Sequence, residues 1–318
     1  MKWLITISLW LLALGLCAWL LQDFPLGDAF DAIKNLNLAQ ASIWLALNAL
    51  ILWLSCYRWQ SLGKATAQLI GLWPLLLIRL GGQTISFITP GPQFGGEPFQ
   101  LYWLRTRCAI TLSKAAIVLA LDRAYELWVN FVVLITCLLS VLLWLPWAAN
   151  NFVLSPSSAT LILIGLILIP IGLALLRGQI KEKLSLVLEK IQSVEKQDQS
   201  KPRQAKRYYF IALLVSFFVW GGIFVELDLV LTFAGIDISL LETVGLLCVI
   251  RLAMLLPLPG GIGSIEAGVL FYFQALGLST EAAFTFIALS RLRDVALLLI
   301  GFLSLYLLHK NNTDTKTL

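Results

Sequence analysis

The sequence predicts an all-α polytopic membrane protein, an inverted-topology repeat with about six full spans and two re-entrant or broken helical hairpins. Hydrophobic residues make up 59% of the 318-residue chain and charged residues 13%, and the mean hydropathy is +0.86. Several apolar runs of about twenty residues are long enough to cross a bilayer core of ~30 Å. Two Pro-Gly breaks, at 90–97 and 257–268, interrupt this apolar sequence, and each carries a glutamate.

The composition also excludes several classes of function. The net charge of +5 comes from basic residues that flank apolar runs, where they set topology, and no basic run interleaved with aromatics suggests nucleic-acid binding. The five cysteines form no CxxC pair, and the single histidine is His309. We therefore expect no metal site, no cofactor and no catalytic residue.

The first unit of the chain begins with an N-terminal transmembrane helix in residues 1–22, which we interpret as a retained signal anchor. The span 41–59 follows, and Arg58 and Lys64 mark its cytoplasmic end. Together with one extra span at 158–176, the first membrane repeat occupies residues 40–176.

Between those spans, residues 69–89 and the short segment 94–104 flank the first break. Residues 111–145 are then apolar for 35 residues, about 52 Å as one helix at ~1.5 Å per residue. That length exceeds the membrane thickness. We therefore expect this helix to be tilted, protruding or broken, with a break near Asp122-Arg123.

Residues 177–207 carry nine basic and four acidic residues, which predicts a cytoplasmic linker. This linker is interpreted as an orientation signal and tether, and an interfacial helix on anionic lipid is the alternative. The second membrane repeat covers residues 208–308, and residues 309–318 form a polar cytoplasmic tail. The predicted segments of this repeat are 208–234, 240–258, 265–276 and 280–308.

The two repeats share a series of matched residues in the same order, which indicates internal duplication. The pairs are Arg79 and Arg251 (each within Ile-Arg-Leu), Glu97 and Glu266, Thr111 and Ser279 (each expected to open a long helix as its N-cap), Arg123 and Arg291, and Glu126 and Asp294. The basic loops then place both termini in the cytoplasm. Under this topology, residues 69–104 form a hairpin entered from inside and residues 240–276 a hairpin entered from outside.

Inverted repeats with broken helices build transport sites near the middle of the membrane, and free N–H groups at helix starts attract anions. The candidate residues for binding a lipid headgroup are Arg79, Glu97, Arg123, Arg251, Glu266 and Arg291. The candidate structural residues of the hairpin tips are Pro90, Gly91, Gly96, Pro259, Gly260, Gly261 and Gly263.

Purely structural interpretations stay open for these charges. Arg123–Glu126 and Arg291–Asp294 are spaced i,i+3 and can form salt bridges within one helix. Arg79 and Arg251 can instead pair with Glu97 and Glu266 to hold the hairpins. Outside this set, Glu226 and Asp228 fit an interfacial position, and tryptophans such as Trp44 fit interfacial belts or lipid-facing packing.

Two stretches resemble the lysylphosphatidylglycerol synthase transmembrane region family. They are the segment from Pro90 to Asn130, with Asp-Arg-Ala-Tyr-Glu at 122–126, and Pro-Leu-Pro-Gly-Gly-Ile-Gly-Ser-Ile-Glu-Ala at 257–267, followed by Arg291. The resemblance implies a flippase-like protein. The first break is longer than the family's usual Pro-Gly-x-x-Gly-Glu. The aminoacyl-transferase domain of the bifunctional members is missing, so lysine transfer is not expected.

These observations predict a non-enzymatic protein that moves a phospholipid or lipid-linked headgroup between leaflets. The alternative is a secondary transporter of a small anionic solute. An intramembrane lipid-modifying enzyme ranks last because the chain lacks a Gly-x-Ser-x-Gly nucleophile and metal-ligand clusters. The expected partners are anionic or lipid-linked membrane lipids and a second copy in a homo-oligomer, with no nucleic acid. The expected location is the bacterial inner membrane.

Overall fold

The computed structural model describes residues 36–89, 95–144, 204–256 and 258–314. Every regular element in these ranges is helical. The elements are α1 (Leu38–Ala65), α2 (Leu72–Ile88), α3 (Glu97–Cys108), α4 (Leu112–Trp144), α5 (Ala205–Phe233), α6 (Leu240–Ala253), a 3-10 turn (Pro259–Gly261), α7 (Ser264–Ala275) and α8 (Thr280–Asp314).

Three helices, α1, α4 and α5, are long and apolar enough to cross a membrane. This finding confirms the prediction of an all-α membrane protein. The predicted N-terminal helix, the span 158–176 and the linker up to residue 203 lie outside the described residues.

Several helix boundaries differ from the sequence prediction. Helix α4 runs for 33 residues without a break at Asp122-Arg123, which removes one of the three alternatives expected for its length. Its charged residues are tolerated because they are paired inside the protein, as described below. Helix α5 begins at Ala205, so the last residues assigned to the linker are helical. Helix α8 continues to Asp314, beyond the boundary set for the polar tail.

Side-chain caps fix the starts of three helices, as the N-terminal Asn and Ser residues dictate. The amide of Gln40 donates to the Asn37 side chain at the start of α1, over 2.8 Å. Ser239 and Glu242 form a reciprocal capping box at α6. The Ala282 amide donates to the Ser279 hydroxyl at 3.2 Å, so the predicted cap of α8 is present.

Two helical hairpins pack crosswise, in the sense that each contacts long helices of both halves of the chain. The first hairpin comprises α2 and α3, and the second comprises α6, the 3-10 turn and α7. Helix α2 packs on α8, and α6 packs on α4, so the leading helix of each hairpin contacts the long helix of the other half. The trailing helices α3 and α7 lie against α4 and α8 of their own halves, and α1 runs along α5. This packing brings charged residues of both halves into one shared interior.

Candidate functional site

The second break is a short turn that only glycine-rich sequence can form. Gly260 and Gly263 have φ angles of 57° and 85°, in the left-handed region where a Cβ atom is strained. A Cβ on Gly260 would also come within 2.5 Å of the Phe87 ring, so the turn lies directly against the end of α2. The two hairpins therefore meet at this contact. Pro257 is outside the described residues.

Arg291 of α8 satisfies the polar groups of this turn. Its guanidinium donates to the carbonyl oxygens of Gly260 and Gly261 at 3.2 and 3.4 Å. It also holds Glu266 through a 2.7 Å hydrogen bond from Nε, and the other oxygen of that carboxylate accepts from the Gly263 amide at 2.8 Å. Backbone groups without water must find such partners inside the protein. Glu266 and Arg291 thus hold the turn in place.

The first break is organised in the same way but more loosely. Residues 90–94, with Pro90 and Gly91, lie outside the described residues. The Glu97 carboxylate accepts from the Gly95 amide at 2.8 Å, and its other oxygen lies 4.0 Å from Arg123. Gly96 donates to the Ser86 hydroxyl at 2.9 Å, which ties the start of α3 to α2. Arg123 is the counterpart of Arg291, although its contact with the glutamate is longer.

Both i,i+3 salt bridges expected within the long helices are present. Arg123 pairs with Glu126 and Arg291 pairs with Asp294, each at 2.9 Å. Each arginine also reaches out of its helix, Arg123 to Gln100 at 3.1 Å and Arg291 to the turn. They therefore connect the long helices to the hairpins as well as bridging within one helix.

Arg79 is locked into a buried ion-pair cluster, with partners other than the glutamate suggested by the sequence. It binds Asp122 at 3.1 Å and Glu126 at 3.4 Å. Arg58 binds the same two carboxylates at 2.9 and 3.2 Å. Both arginines are 2% exposed and Asp122 is fully buried. Arg58, interpreted from the sequence only as a marker of the cytoplasmic end of α1, is thus an interior residue that joins α1 to α4.

Arg251, the sequence counterpart of Arg79, has a different environment. Its guanidinium carbon lies 4.5 Å from the centroid of the Trp220 ring, and Nη1 lies 3.8 Å from the sulfur of Met254. The Nε atom is buried and has no hydrogen-bond partner. The suggested pairing with Glu266 is therefore not formed, because Glu266 binds Arg291.

Glu226 is a buried residue rather than an interfacial one. It is 5% exposed and accepts hydrogen bonds from the Trp44 indole at 2.9 Å and from Arg293 at 2.8 Å. Arg293 in turn binds Asp294 at 2.9 Å. Trp44 is accordingly an interior residue and does not belong to an interfacial belt. Asp228 is exposed.

A cavity of about 300 Å³ lies where the two hairpins and the long helices meet. Its wall includes Ser86 and Phe87 of the first hairpin, and Gly260 and Gly261 of the second. The charged residues in the wall are Arg123, Glu126, Glu226, Arg251, Arg291, Arg293 and Asp294. Within the described residues, no three side chains of the His, Cys, Asp or Glu type are placed to hold a metal ion.

The cavity thus includes Arg123, Arg251 and Arg291 of the six predicted headgroup residues. The other three do not line the cavity: Arg79 belongs to the buried ion-pair cluster, and Glu97 and Glu266 bind backbone amides at the starts of α3 and α7. Sequence reasoning did not propose Glu226 or Arg293 as site residues. One signal was available, because Arg293 lies two residues after Arg291 and directly before Asp294, within a helix that is otherwise mostly apolar.

Comparison with known proteins identifies related membrane proteins. A family model described as the lysylphosphatidylglycerol synthase transmembrane region matches residues 4–301. A UPF0104 membrane protein of Methanothermobacter thermautotrophicus is 22% identical over 286 residues, which cover 81% of each chain. No solved structure matches the chain.

Proposed function

The chain belongs to the lysylphosphatidylglycerol synthase transmembrane region family, and on this premise we propose that it moves a phospholipid or lipid-linked headgroup between the leaflets without altering it chemically. One observation carries the proposal: a charged cavity is lined by residues of both hairpins, with Ser86 and Phe87 near the end of α2 and Gly260 and Gly261 in the second turn. Ionisable side chains inside a membrane protein are rare, and substrate and ion pathways are among the roles that they mark.

The size of the cavity supports a headgroup as its occupant. At about 300 Å³ it lies at the lower end of small-molecule pockets, which span roughly 300–1,000 Å³. That volume suits a phosphate with a small polar substituent, and it leaves no room for acyl chains. In this mechanism the headgroup crosses through the protein while the chains stay in lipid.

The crosswise packing of the hairpins supports an alternating mechanism. Each leading helix rests on the long helix of the other half, so a tilt of one half moves the opposite hairpin. In the proposed orientation the first hairpin is entered from the cytoplasm and the second from outside. Opening Phe87 from Gly260 would then expose the cavity from one side at a time.

Filling the cavity tests this function. Ser290 lies in the cavity wall, and Ser290→Trp would occupy the space of a headgroup. Val295→Trp is the matched control, because Val295 lies on the same helix and is 53% exposed to the surroundings of the protein. The purified chain would be reconstituted in vesicles, and movement of fluorescent phospholipid between leaflets would be followed by chemical quenching of the outer leaflet.

We expect Ser290→Trp to lower the rate to that of protein-free vesicles, while Val295→Trp keeps the wild-type rate. Wild-type lipid movement by a folded Ser290→Trp protein would exclude the cavity as the pathway. Transport of a small anionic solute is the second candidate, since a cavity of this size holds a free anion equally well. It predicts flux of solute into sealed vesicles and no exchange of lipid between leaflets.

A further inference from the structure

The cavity wall contains a cation that has no carboxylate partner. In the described part of the chain, no carboxylate oxygen lies within the 4.0 Å of an ion pair from Arg251. Its direct contacts are the Trp220 ring and the Met254 sulfur, and its Nε has no hydrogen-bond partner. Every other arginine in the wall forms an ion pair. A desolvated charge without a partner is costly, so Arg251 has the most to gain from an anion.

The sequence explains why this one charge is unpaired. Asp122 lies eleven residues after Thr111 and binds Arg79. The matching position, eleven residues after Ser279, is Ser290, which also lines the cavity. A neutral hydroxyl therefore stands in the second half where the first half has the carboxylate. In the first half, Asp122 neutralises Arg79. In the second half, the carboxylate that would neutralise Arg251 is absent from the matching position, so a bound anion can take its place.

We propose that Arg251, backed by Trp220, is the binding site for the phosphate of a phosphodiester that carries a single negative charge. This inference rests on the proposed function for the statement that the phosphodiester belongs to a lipid. A guanidinium presents paired N–H donors that match two phosphate oxygens, and an aromatic face behind it fixes its plane. Trp220 packs against the Arg251 guanidinium from outside the cavity lining, whereas Arg251 itself lines the cavity, so an anion in the cavity can reach it.

The other charges of the cavity restrict the ligand to one negative charge. Arg123, Arg291 and Arg293 are each paired with a carboxylate, which leaves Arg251 as the one positive charge without an ion pair among the described residues of the wall. Arg293, Glu126 and Glu226 all act electrostatically on Arg251, and neither carboxylate forms an ion pair with it. A phosphomonoester carries about −1.5 to −2 at pH 7 and would place its second charge against these carboxylates. A phosphodiester avoids this repulsion.

Calorimetric titration of the full chain in an uncharged detergent tests the ligand class. The probes are short-chain phosphatidylglycerol as a lipid phosphodiester, short-chain phosphatidic acid as a lipid phosphomonoester, and dimethyl phosphate as a free phosphodiester. We expect phosphatidylglycerol to bind at least about tenfold more tightly than phosphatidic acid. Dimethyl phosphate binding as tightly as phosphatidylglycerol assigns the site to a free solute, and weaker binding assigns it to a lipid. Equal or tighter binding of phosphatidic acid overturns the proposed charge selectivity.

Three variants test the role of Arg251. Arg251→Gln removes the cation and should lower the affinity for phosphatidylglycerol about tenfold to a hundredfold, as expected for loss of a charge-assisted hydrogen bond. Ser290→Asp introduces a carboxylate at the position that matches Asp122 and should lower the affinity similarly, by pairing with Arg251. Arg105→Gln is the matched control, since Arg105 is exposed on α3 outside the cavity, and should bind as the wild type does.

Affinity within twofold of the wild type in both Arg251→Gln and Ser290→Asp would show the inference to be wrong. Thermal unfolding of each variant in the same detergent establishes that it is folded. If Arg251→Gln does not fold, Ser290→Asp still tests the inference. Lipid movement in vesicles separates this inference from the proposed function. Arg251-dependent binding without lipid movement refutes only the function. Lipid movement at the wild-type rate in Arg251→Gln, with unchanged binding, refutes only the inference.

Discussion

The two hairpins carry the same Ile-Arg-Leu sequence in their leading helices, yet the two arginines have opposite environments. Arg79 is 2% exposed and bound by two carboxylates that it shares with Arg58. Arg251 faces a cavity, and its contacts are an aromatic ring and a thioether sulfur. The difference originates in α4 and α8, where Asp122 and Ser290 hold matching positions. Whether an arginine inside this protein is structural or available to a ligand thus depends on whether a distant helix supplies a carboxylate for it.

The largest expected effect separates these two arginines by the stability of the protein. Arg79→Met leaves Asp122 with one cation fewer in a dry interior, and breaking such a buried pair costs roughly 3–5 kcal/mol. Arg251→Met removes an unpaired charge and should leave the free energy of unfolding unchanged or raise it by about 1 kcal/mol. Unfolding in mixed micelles with increasing sodium dodecyl sulfate measures both values. Equal destabilisation by the two variants would remove the distinction between a structural and a ligand-binding arginine.

The sequence was sufficient for those features that depend on local chemistry. The apolar runs predicted helices, Ser279 predicted a cap, and the i,i+3 spacing predicted the pairs of Arg123 and Arg291. Each of these features involves residues that are close in the chain, where helical geometry alone fixes the distance. The position of the second break followed from its glycines, because a turn with positive φ angles has few alternatives.

The sequence did not predict the contacts between helices that are far apart in the chain. The basic residues around Arg58 suggested a position beside the membrane, whereas Arg58 lies in the interior. Charge patterns of this kind indicate topology, but they do not specify the partner of a given side chain. The interfacial position predicted for Glu226 is wrong for the same reason, since the Trp44 indole and Arg293 bind it in the interior. Such pairings follow from how α1, α4, α5 and α8 pack, and residues separated by 64 to 182 positions carry no local signal of contact.

Close packing within the hairpins gives the next largest effect. A Cβ on Gly245 of α6 would overlap the Tyr272 hydroxyl of α7, and that hydroxyl is fixed by a 2.9 Å hydrogen bond to the Glu242 carbonyl. Gly245→Ala should therefore lower the free energy of unfolding by about 1–3 kcal/mol. A Cβ on Gly82 of α2 would overlap the side chain of Gln100. Gln100 is buried and accepts a 3.1 Å hydrogen bond from Arg123, so Gly82→Ala should also cost about 1–3 kcal/mol.

Gly221→Ala provides the control for both glycine substitutions. Gly221 lies within α5, and a Cβ atom added there would have open space around it, with no neighbouring atom within 4 Å. Alanine at this position should therefore stabilise the helix by up to about 1 kcal/mol. The same detergent titration compares the three variants. A larger cost for Gly82→Ala than for Gly245→Ala would show that the first hairpin is the more rigid of the two.

The smallest expected effect compares the glutamates that hold the two helix starts. Each accepts a 2.8 Å hydrogen bond from a backbone amide, but Glu266 also binds Arg291 at 2.7 Å, whereas Glu97 lies 4.0 Å from Arg123. Glutamine keeps an acceptor for the amide and removes the charge. Glu266→Gln should therefore cost about 1–2 kcal/mol, since a short, partly buried, charge-assisted bond is lost. Glu97→Gln should cost less than about 0.5 kcal/mol, in the range of weak exposed pairs. Equal losses of stability for the two variants would mean that Glu97 and Arg123 approach more closely in the membrane than 4.0 Å. The two arginines would then stabilise their breaks to the same degree.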